Sequence, residues 1–198
     1  DSLGTQSQFS YAKSGNAFYL ASMTNATGAV TEYLRDSMGR KLAETTYRQL
    51  ADGSSQALTT SYELDAKGRI LSTTDARGVK SAAEYDVFDN ETASVDALGQ
   101  RTEYQYDVRG NLTQTRYPDG SSETRNYDAE NNLITLIDRN GFTTRHQYDA
   151  ANRRVLTEYA DNSTEQNEYD AAGNRVAVVD GRGNRTEYQY DAAGQEIV

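Results

Sequence analysis

The chain has no cysteine among its 198 residues, so neither disulfide bonds nor thiolate metal sites can stabilise it. It has one histidine, His146, which excludes zinc sites built from several histidines and catalysis by a cysteine–histidine pair. No apolar run approaches the roughly 18 residues of a membrane-spanning helix, so we predict no membrane span. The sequence begins at Asp1 without a signal peptide, and we expect an excised piece or a processed product.

Apolar residues are also scarce in this chain. Leucine, isoleucine, valine and phenylalanine account for 31 of the 198 residues, a fraction typical of disordered chains when the net charge is high. The net charge is −10, from 30 acidic and 20 basic residues, which excludes a protein that follows nucleic-acid phosphates with a basic face. The 15 tyrosines and a strict internal period nevertheless favour a folded chain.

Tyrosine–aspartate pairs recur every 21 residues in the second half of the chain. The pairs are Tyr85-Asp86, Tyr106-Asp107, Tyr127-Asp128, Tyr148-Asp149, Tyr169-Asp170 and Tyr190-Asp191. The heptapeptide RTEYQYD occurs at 101–107 and again, four periods later, at 185–191. Six pairs at constant spacing identify the chain as a repeat array.

The first half of the chain carries weaker copies of the repeat. We predict a degenerate repeat or lead-in over 1–31, degenerate repeats over 32–84 and regular repeats over 85–198. Asp36 and Asp65 belong to degenerate copies and lie 29 residues apart, which is one period plus eight. We expect the extra residues to form a polar insertion near 49–57.

Each repeat has two positions that suit a left-handed backbone. The first stands three residues after each aspartate, where Gly, Asn or Asp always occurs: Gly39, Gly68, Asp89, Gly110, Asn131, Asn152, Gly173 and Gly194. The second is occupied by Gly78, Gly99, Gly120, Gly141, Asn162 and Gly183. The segments between these reversals are too short for helices and are rich in Thr, Tyr, Val, Leu and Ile. The pattern predicts an all-β array with one hairpin per 21 residues.

Alternation along the strands predicts which face of the sheet is drier. The residue before each repeat tyrosine is Glu, Gln or Asn, whereas the residues seven and nine positions after it are uncharged. We therefore expect the tyrosine on the less polar face, with its hydroxyl reaching a partner and its ring against the neighbouring strand. About eight hairpins give about sixteen strands, and an antiparallel sheet of that width is expected to curl into a wall.

The aspartate of each pair suits a turn, because its carboxylate can accept backbone N–H groups across the reversal. We assign a structural role to the tyrosine–aspartate pairs and to Gly110, Gly173 and Gly194, and no catalytic, cofactor-binding or metal-binding role. Aspartates beside glycine lack the dense alternating ligands of calcium loops, and no nucleophile motif accompanies His146. No two carboxylates stand out as a glycosidase pair. We predict that the chain is not an enzyme and needs no cofactor.

The motifs YDVRGN at Tyr106, YDAAGN at Tyr169 and YDAAGQ at Tyr190 resemble the YD repeats of RHS proteins. These proteins include bacterial RHS toxins, the B and C subunits of insecticidal Tc toxins and the animal teneurins. The resemblance extends from about Glu32 to Val198 and implies a spiral sheet of YD hairpins that forms a hollow shell. In bacterial members it also implies an enclosed C-terminal toxin. The self-cleaving segment that closes those shells has no counterpart after Asp191.

The resemblance and the residue pattern support two functional hypotheses. The first is a non-enzymatic segment of a β-shell wall, from a secreted or cell-surface bacterial protein, that encloses or scaffolds an effector. Its partners would be the rest of the shell and the enclosed effector domain. The alternative is a repeat module that binds carbohydrate or a cell surface through exposed tyrosines. Neither hypothesis involves nucleic acid.

An isolated piece of sheet leaves two strands without neighbours, and unpaired strand edges promote association between chains. We therefore predict that the chain associates with itself through its edge strands. Light scattering over a range of concentrations checks this, because the average mass should rise with concentration. A monomer mass that stays constant at high concentration would contradict the prediction.

Overall fold

The structure is a computed structural model that describes residues 7–14 and 17–197. These residues form seventeen β-strands, which confirms the all-β prediction. The strands are β1 Gln8–Ser14, β2 Ala17–Thr24, β3 Val30–Arg35, β4 Lys41–Gln49, β5 Ser55–Leu64, β6 Ile70–Thr74, β7 Lys80–Tyr85, β8 Glu91–Val95, β9 Arg101–Tyr106, β10 Leu112–Arg116, β11 Ser122–Tyr127, β12 Leu133–Ile137, β13 Thr143–Tyr148, β14 Arg154–Glu158, β15 Thr164–Tyr169, β16 Arg175–Val179 and β17 Arg185–Glu187. Within these ranges no helix is long and apolar enough to cross a membrane. Residues 1–6, 15 and 16 of the predicted lead-in, and Val198 of the last repeat, lie outside the described residues.

Strands that follow one another in the chain pair side by side and antiparallel. The chain divides into two compact units, Asp1–Arg101 and Thr102–Val198. In the first unit β1 to β8 form a series of consecutive hairpins. In the second unit β9 to β17 continue the same arrangement. Each 21-residue period therefore supplies two strands and two turns.

Sixteen turns of one form follow strands β2 to β17. In the turn at Asp107, the N–H of Asp107 donates to the carbonyl of Asn111 at 3.0 Å, and the N–H of Gly110 donates to the carbonyl of Asp107 at 3.1 Å. Every other turn repeats these two bonds between its first, fourth and fifth residues. The turns begin at Asn25, Asp36, Leu50, Asp65, Asp75, Asp86, Asp96, Asp107, Tyr117, Asp128, Asp138, Asp149, Tyr159, Asp170, Asp180 and Asp191.

The fourth residue of every turn has a positive φ, which explains the Gly, Asn or Asp at that position. Twelve of these residues are glycines, with φ between 76° and 94°. The other four are Asp89, Asn131, Asn152 and Asn162, with φ between 59° and 73°. All fourteen left-handed positions predicted from the sequence are confirmed, and Gly28 and Gly53 complete the set.

Five hairpins closed by tyrosine–aspartate turns each contain one bulge beside the tyrosine, namely those with turns at Asp86, Asp107, Asp128, Asp149 and Asp170. Tyr127 pairs with Leu133 and Asn126 pairs with Thr135, so Ile134 has no partner in the ladder. The same shift occurs beside Arg35 and Leu64, which precede the degenerate turns at Asp36 and Asp65. The hairpins closed by seven of the alternate turns show none: those at Asn25, Leu50, Asp75, Tyr117, Asp138, Tyr159 and Asp180. A bulge bends and twists its strand locally. Because one residue is skipped, the residue nine positions after the tyrosine lies on the face of the tyrosine.

Buried residues occur on both faces of the sheet, so burial is not confined to the tyrosine face that the sequence predicts to be drier. Thr115 and Thr157 are buried on the tyrosine face. Ala93 and Ala177 have no exposed surface and lie on the opposite face, where each pairs with the polar residue that precedes a repeat tyrosine. The alternation of residue types did not indicate this second set, because charged side chains surround it.

Long charged side chains bury Ala93. Arg101 donates two hydrogen bonds to the Glu84 carboxylate, at 2.6 and 2.8 Å, across the strand that carries Ala93. The aliphatic stems of such side chains cover apolar surface while their charged ends stay in water. The same arrangement recurs at Glu168, Ala177 and Arg185, four periods later, and at Glu63, Ser72 and Lys80.

The hairpin of β4 and β5 is longer than the hairpins of the regular repeats. β4 has nine residues where β6 has five, and β5 has ten where β7 has six. These eight additional residues equal the excess spacing between Asp36 and Asp65. The turn at Leu50 keeps the common form. We propose that the insertion predicted near 49–57 consists of four additional residues on each strand of this hairpin.

Gly99 allows a direct test of the turn conformation, because its φ is +79° and nothing lies within 4 Å of the position of a Cβ. Gly99→Ala should destabilise the chain by about 1–2 kcal/mol through backbone conformation alone. Gly99→Asn should cost less, since Asn occupies this position in three other turns. Urea denaturation of both variants measures the difference. An alanine variant as stable as the wild type would contradict the assigned conformation.

Candidate functional site: the tyrosine–aspartate row

The six tyrosine–aspartate pairs, called here the YD row, occupy equivalent places in their repeats. Five of the tyrosines end a strand, and Tyr190 forms an isolated bridge with Glu196. Each aspartate is the first residue of a turn, and Gly110, Gly173 and Gly194 are fourth residues of such turns. All six tyrosines are half-buried, and the polar residue before each one is exposed. The tyrosine is therefore the better covered of the two residues, as the sequence predicts.

Four tyrosines of the YD row donate their hydroxyl hydrogen to a backbone carbonyl of the neighbouring strand. Tyr127 donates to Leu112 and Tyr148 donates to Leu133, both at 3.0 Å, and each acceptor lies fifteen residues earlier in the chain. Tyr169 with Arg154 and Tyr190 with Arg175 make the same bond, at 3.1 and 3.0 Å. The expectation that the hydroxyl reaches a partner is confirmed for these four. The sequence did not indicate that the partner is a main-chain carbonyl.

Arg35 takes the place of the tyrosine in the degenerate repeat at Asp36. Its Nε donates to the carbonyl of Leu20 at 3.1 Å, again fifteen residues earlier. Its Nη1 also donates to the carbonyl of Gly39 at 2.9 Å. This position therefore uses a long side chain with a terminal donor, and an aromatic ring is not required for the bond. The sequence shows Arg-Asp here in place of Tyr-Asp. That Arg35 replaces the tyrosine as a donor becomes clear only from the position of the Leu20 carbonyl.

Each aspartate of the YD row caps its own turn. Oδ1 of Asp107 accepts the N–H groups of Arg109 and Asn111, both at 2.9 Å, and Oδ2 accepts the side-chain amide of Asn111 at 3.0 Å. These bonds, chiefly the one from the Asn111 side chain, lower the pKa of the Asp107 carboxyl. Oδ1 accepts the N–H of the fifth turn residue in the same way at Asp36, Asp65, Asp86, Asp128, Asp149, Asp170 and Asp191.

Sequence reasoning missed the role of the fifth residue of these turns. Its side chain donates to Oδ2 of the capping aspartate, as Arg153 Nε does to Asp149 at 2.7 Å. The residues with this bond are Arg40, Arg69, Asn90, Asn111, Asn132, Arg153 and Asn174. The signal was available, because Arg or Asn follows the left-handed residue in all seven turns.

Four of the fifth residues also link their turn to the next turn of the YD row. Asn111 Nδ2 donates to the side-chain oxygen of Asn131 at 2.8 Å. Arg153 donates to the carbonyl of Asp170 at 3.1 Å, and its guanidinium lies 4.7 Å from the centre of the Tyr169 ring. Asn132 with Asn152, and Arg69 with Asp86 and Tyr85, repeat these two arrangements. Side chains thus connect successive repeats along this edge.

The turns of the opposite edge are capped in two ways. Four of them begin with an aspartate that caps as Asp107 does: Asp75, Asp96, Asp138 and Asp180. In the turn at Tyr117 the cap is the third residue, where Asp119 Oδ1 accepts the N–H and the hydroxyl of Ser121, at 3.0 and 2.6 Å. The turns at Leu50 and Tyr159 follow this second pattern, with Asp52 and Asp161 as caps.

Aspartates and glutamates occupy different parts of the fold, because aspartates cap the turns. All sixteen aspartates among the described residues lie in the turns, whereas twelve of the thirteen glutamates lie outside them. The short aspartate side chain can reach N–H groups of its own turn, which explains its preference for these positions. The net negative charge is therefore concentrated at the turn edges, and the strands carry nearly balanced charges.

His146 and the acidic groups outside the YD row are the remaining candidate residues. His146 is half-buried on the tyrosine face, with Nδ1 3.2 Å from the hydroxyl of Thr157, and burial lowers its pKa. In the same part of the chain no three His, Asp or Glu side chains approach closely enough to hold a metal ion. The contacts of the YD row are made within the chain, and what they accomplish is to hold strands and turns together.

Comparison with known families places this pattern in context. The family model described as RHS Repeat matches residues 85–122, 127–164 and 169–198, which is more than half of the chain. Each matched segment begins at a tyrosine of the YD row. A comparison with curated proteins found no match.

Several solved structures have a similar fold. The crystal structure of TcdB2-TccC3-Cdc42 matches with a TM-score of 0.71 and 15% identity, over 96% of this chain and 12% of that chain. The Tc holotoxin pore of Photorhabdus luminescens matches with a TM-score of 0.65 and 14% identity, over 96% of this chain and 13% of that chain. TcdB2-TccC3 without its hypervariable C-terminal region matches with a TM-score of 0.60 and 16% identity, over 90% and 12%. These likenesses show the fold, and this chain spans about an eighth of the solved chains.

The cap at Asp107 makes stability depend on pH. The pKa of Asp107 is lower in the folded than in the unfolded chain, so its carboxylate stabilises the fold above the unfolded pKa of about 4, and this contribution is lost as the pH falls through the folded pKa. Asp107→Asn keeps an oxygen that can accept the turn N–H groups, as the Asn25 oxygen does. The variant should unfold more easily than the wild type at about pH 7, and this difference should shrink as the pH falls towards about 2. Thermal unfolding measures both, and a difference that persists at low pH would count against this role.

Proposed function

This chain belongs to the RHS repeat family, and from that membership we propose that it is a non-enzymatic structural segment of a shell wall that encloses or scaffolds a toxin or effector polypeptide. The main support for this proposal is the set of hydrogen bonds made by the YD row and its turns. Its tyrosines bond to the neighbouring strand, its aspartates cap their own turns, and the fifth turn residues reach the next turn. The most regular residues of the sequence thus serve the cohesion of the sheet.

The regularity of these bonds suits a wall that grows by repetition. The hydroxyl bond of Tyr148 repeats that of Tyr127 one period later, with the same spacing to its acceptor. In repeat proteins each unit contacts mainly its neighbours, so an additional repeat extends the array without requiring new kinds of contact. A long enclosing surface can therefore be built from one short sequence pattern.

We propose that the partners are the rest of the same shell and an enclosed effector domain, in a secreted or cell-surface bacterial protein. The similarity in fold to the Photorhabdus luminescens Tc holotoxin pore and to TcdB2-TccC3-Cdc42 supports this assignment. Because this chain spans only about an eighth of those chains, enclosure would require further repeats beyond the seventeen strands seen here.

The alternative function, in which the chain binds carbohydrate or a cell surface, stays a prediction. It requires tyrosine ring faces that are open to a sugar ring. The guanidinium groups of Arg69 and Arg153 lie 4.7 Å from the ring centres of Tyr85 and Tyr169. The hydroxyl groups of four row tyrosines donate to main-chain carbonyls: Tyr127, Tyr148, Tyr169 and Tyr190. These contacts favour the wall.

Tyrosine variants separate the two functions. If the wall proposal holds, Tyr148→Ala should destabilise the chain by roughly 1–3 kcal/mol, because a half-buried ring and a hydrogen bond are lost. Tyr148→Phe should cost about 1 kcal/mol, because only the hydroxyl bond is lost. Urea denaturation measures both, with the exposed neighbour Gln147 changed to Ala as a control of little effect.

A glycan array probed with the wild type and with Tyr127→Ala and Tyr148→Ala completes the test. The wall proposal expects no specific glycan signal from the wild type. Alanine variants of unchanged stability, together with a wild-type glycan signal that these variants lose, would overturn the wall proposal in favour of the binding module.

A further inference from the structure

A guanidinium group is bound within the chain at the turn edge opposite the YD row. Arg139 donates from Nη2 to the Asp119 carboxylate at 2.6 Å and from Nε to the Ser121 hydroxyl at 2.9 Å. Its guanidinium carbon lies 4.0 Å from the centre of the Tyr117 ring. A carboxylate, a hydroxyl and a ring face therefore surround one planar cation.

This combination is selective for arginine over lysine. The planar guanidinium offers several N–H donors in fixed directions and can stack on a ring at the same time, whereas an ammonium group is a compact point charge. Asp119 is suited to the role because hydrogen bonds from Ser121, first that of its side chain, lower the pKa of its carboxyl and keep it ionised. The site is thus built from the capping aspartate and serine of one turn and the residue that begins it.

The same three receptor residues occur two periods later, at Tyr159, Asp161 and Ser163. The turn at Tyr159 has the same two backbone bonds as the turn at Tyr117. Asp161 Oδ1 accepts the N–H of Ser163 at 2.9 Å, and hydrogen bonds from Ser163 lower the pKa of the Asp161 carboxyl. We call these three residues the second receptor.

The second receptor has no arginine at the position that corresponds to Arg139. Two periods after Arg139 the residue is Gly181. A Cβ at Gly181 would lie 2.9 Å from the Cβ of Ser163, so the close approach of the backbone leaves no room for a side chain there. Tyr159 is correspondingly 41% exposed, whereas Tyr117 is half-buried beneath its arginine.

We propose that Tyr159, Asp161 and Ser163 bind the guanidinium group of an arginine side chain from a partner polypeptide. The chain itself provides the template, since the first receptor holds Arg139 with the same residue types in the same turn. A single exposed ion pair contributes little by itself, so the site would act as an arginine anchor within a larger contact. The proposal does not depend on the wall function, because it concerns one turn of the opposite edge.

The test is an NMR titration of the complete chain with N-acetyl-arginine methylamide as the probe. Saturable chemical-shift changes should appear at the amides of Asp161 and Ser163 and at the Tyr159 ring. N-acetyl-lysine methylamide at the same concentrations and ionic strength should cause clearly weaker changes there. Equal changes with both probes, or no saturable change with the arginine probe, would overturn the proposal.

Two variants test the site further. Tyr159→Leu should weaken binding about five-fold or more while the fold is kept, since Leu50 begins a turn with the same Asp and Ser cap. Arg139→Gly should open the first receptor and add a second set of shifts at Asp119 and Ser121. Unchanged binding by Tyr159→Leu would refute the site.

Arg182 provides the last control, because it follows Gly181 in the same turn. Its N–H donates to Asp180 Oδ1 at 2.9 Å. If the second receptor is open to a partner, Arg182→Ala should bind the probe as the wild type does. Binding that appears only in Arg182→Ala would mean that the chain fills its own site, and the proposal would be wrong.

Discussion

Two backbone hydrogen bonds within a five-residue turn are the constraint on which the rest of this structure depends. They require a left-handed fourth residue, which restricts that position to Gly, Asn or Asp. They leave the N–H groups of the third and fifth residues without a backbone partner in the turn. A side-chain oxygen accepts both from an Asp at the first position, or the fifth from an Asp at the third position. The turn recurs at alternating edges of the sheet, with strands of five or six residues between successive turns. Two such strands and two turns make up the period of the sequence.

A chain held in this way needs little apolar core. Ala43, Ala93 and Ala177 are the buried hydrophobic residues in the described part of the chain, and two of them lie beneath paired charged side chains. Hydrogen bonds between side chains and main chain, and ion pairs across a strand, replace the packing of large apolar groups. This explains how a sequence with the apolar content of a disordered chain forms an ordered sheet, and it suits a thin wall better than a globular domain.

The parts of the fold that depend on local geometry could be predicted from the sequence. Left-handed positions such as Gly110 and Asn152, and the exposure of the residue before each tyrosine, follow from residue types at fixed spacing. Contacts across strands could not be predicted, because they depend on register and on the bulge. The acceptor of the Tyr127 hydroxyl is a carbonyl fifteen residues away, which carries no side-chain signature. The burial of Ala93 depends likewise on which glutamate and arginine meet above it.

The same distinction applies to the sites. The cap at Asp107 was predictable because aspartate acts on its own turn, whereas the second bond of that cap requires the side chain of Asn111. The receptor for Arg139 joins two turns that lie two strands apart, so only the assembled sheet reveals it. The proposed arginine site therefore depends on a departure from the repeat, Gly181 in place of an arginine, whereas the proposed wall depends on the repeated residues themselves.

Amide hydrogen exchange measured residue by residue tests the central role of the turn most directly. If the two turn bonds hold the array, the N–H groups of Asp107 and Gly110 should exchange as slowly as those of the adjoining strands. Val108 lies between them in the same turn and is a fully exposed residue, so its N–H should exchange quickly. Fast exchange at Gly110, equal to that of Val108, would contradict the account.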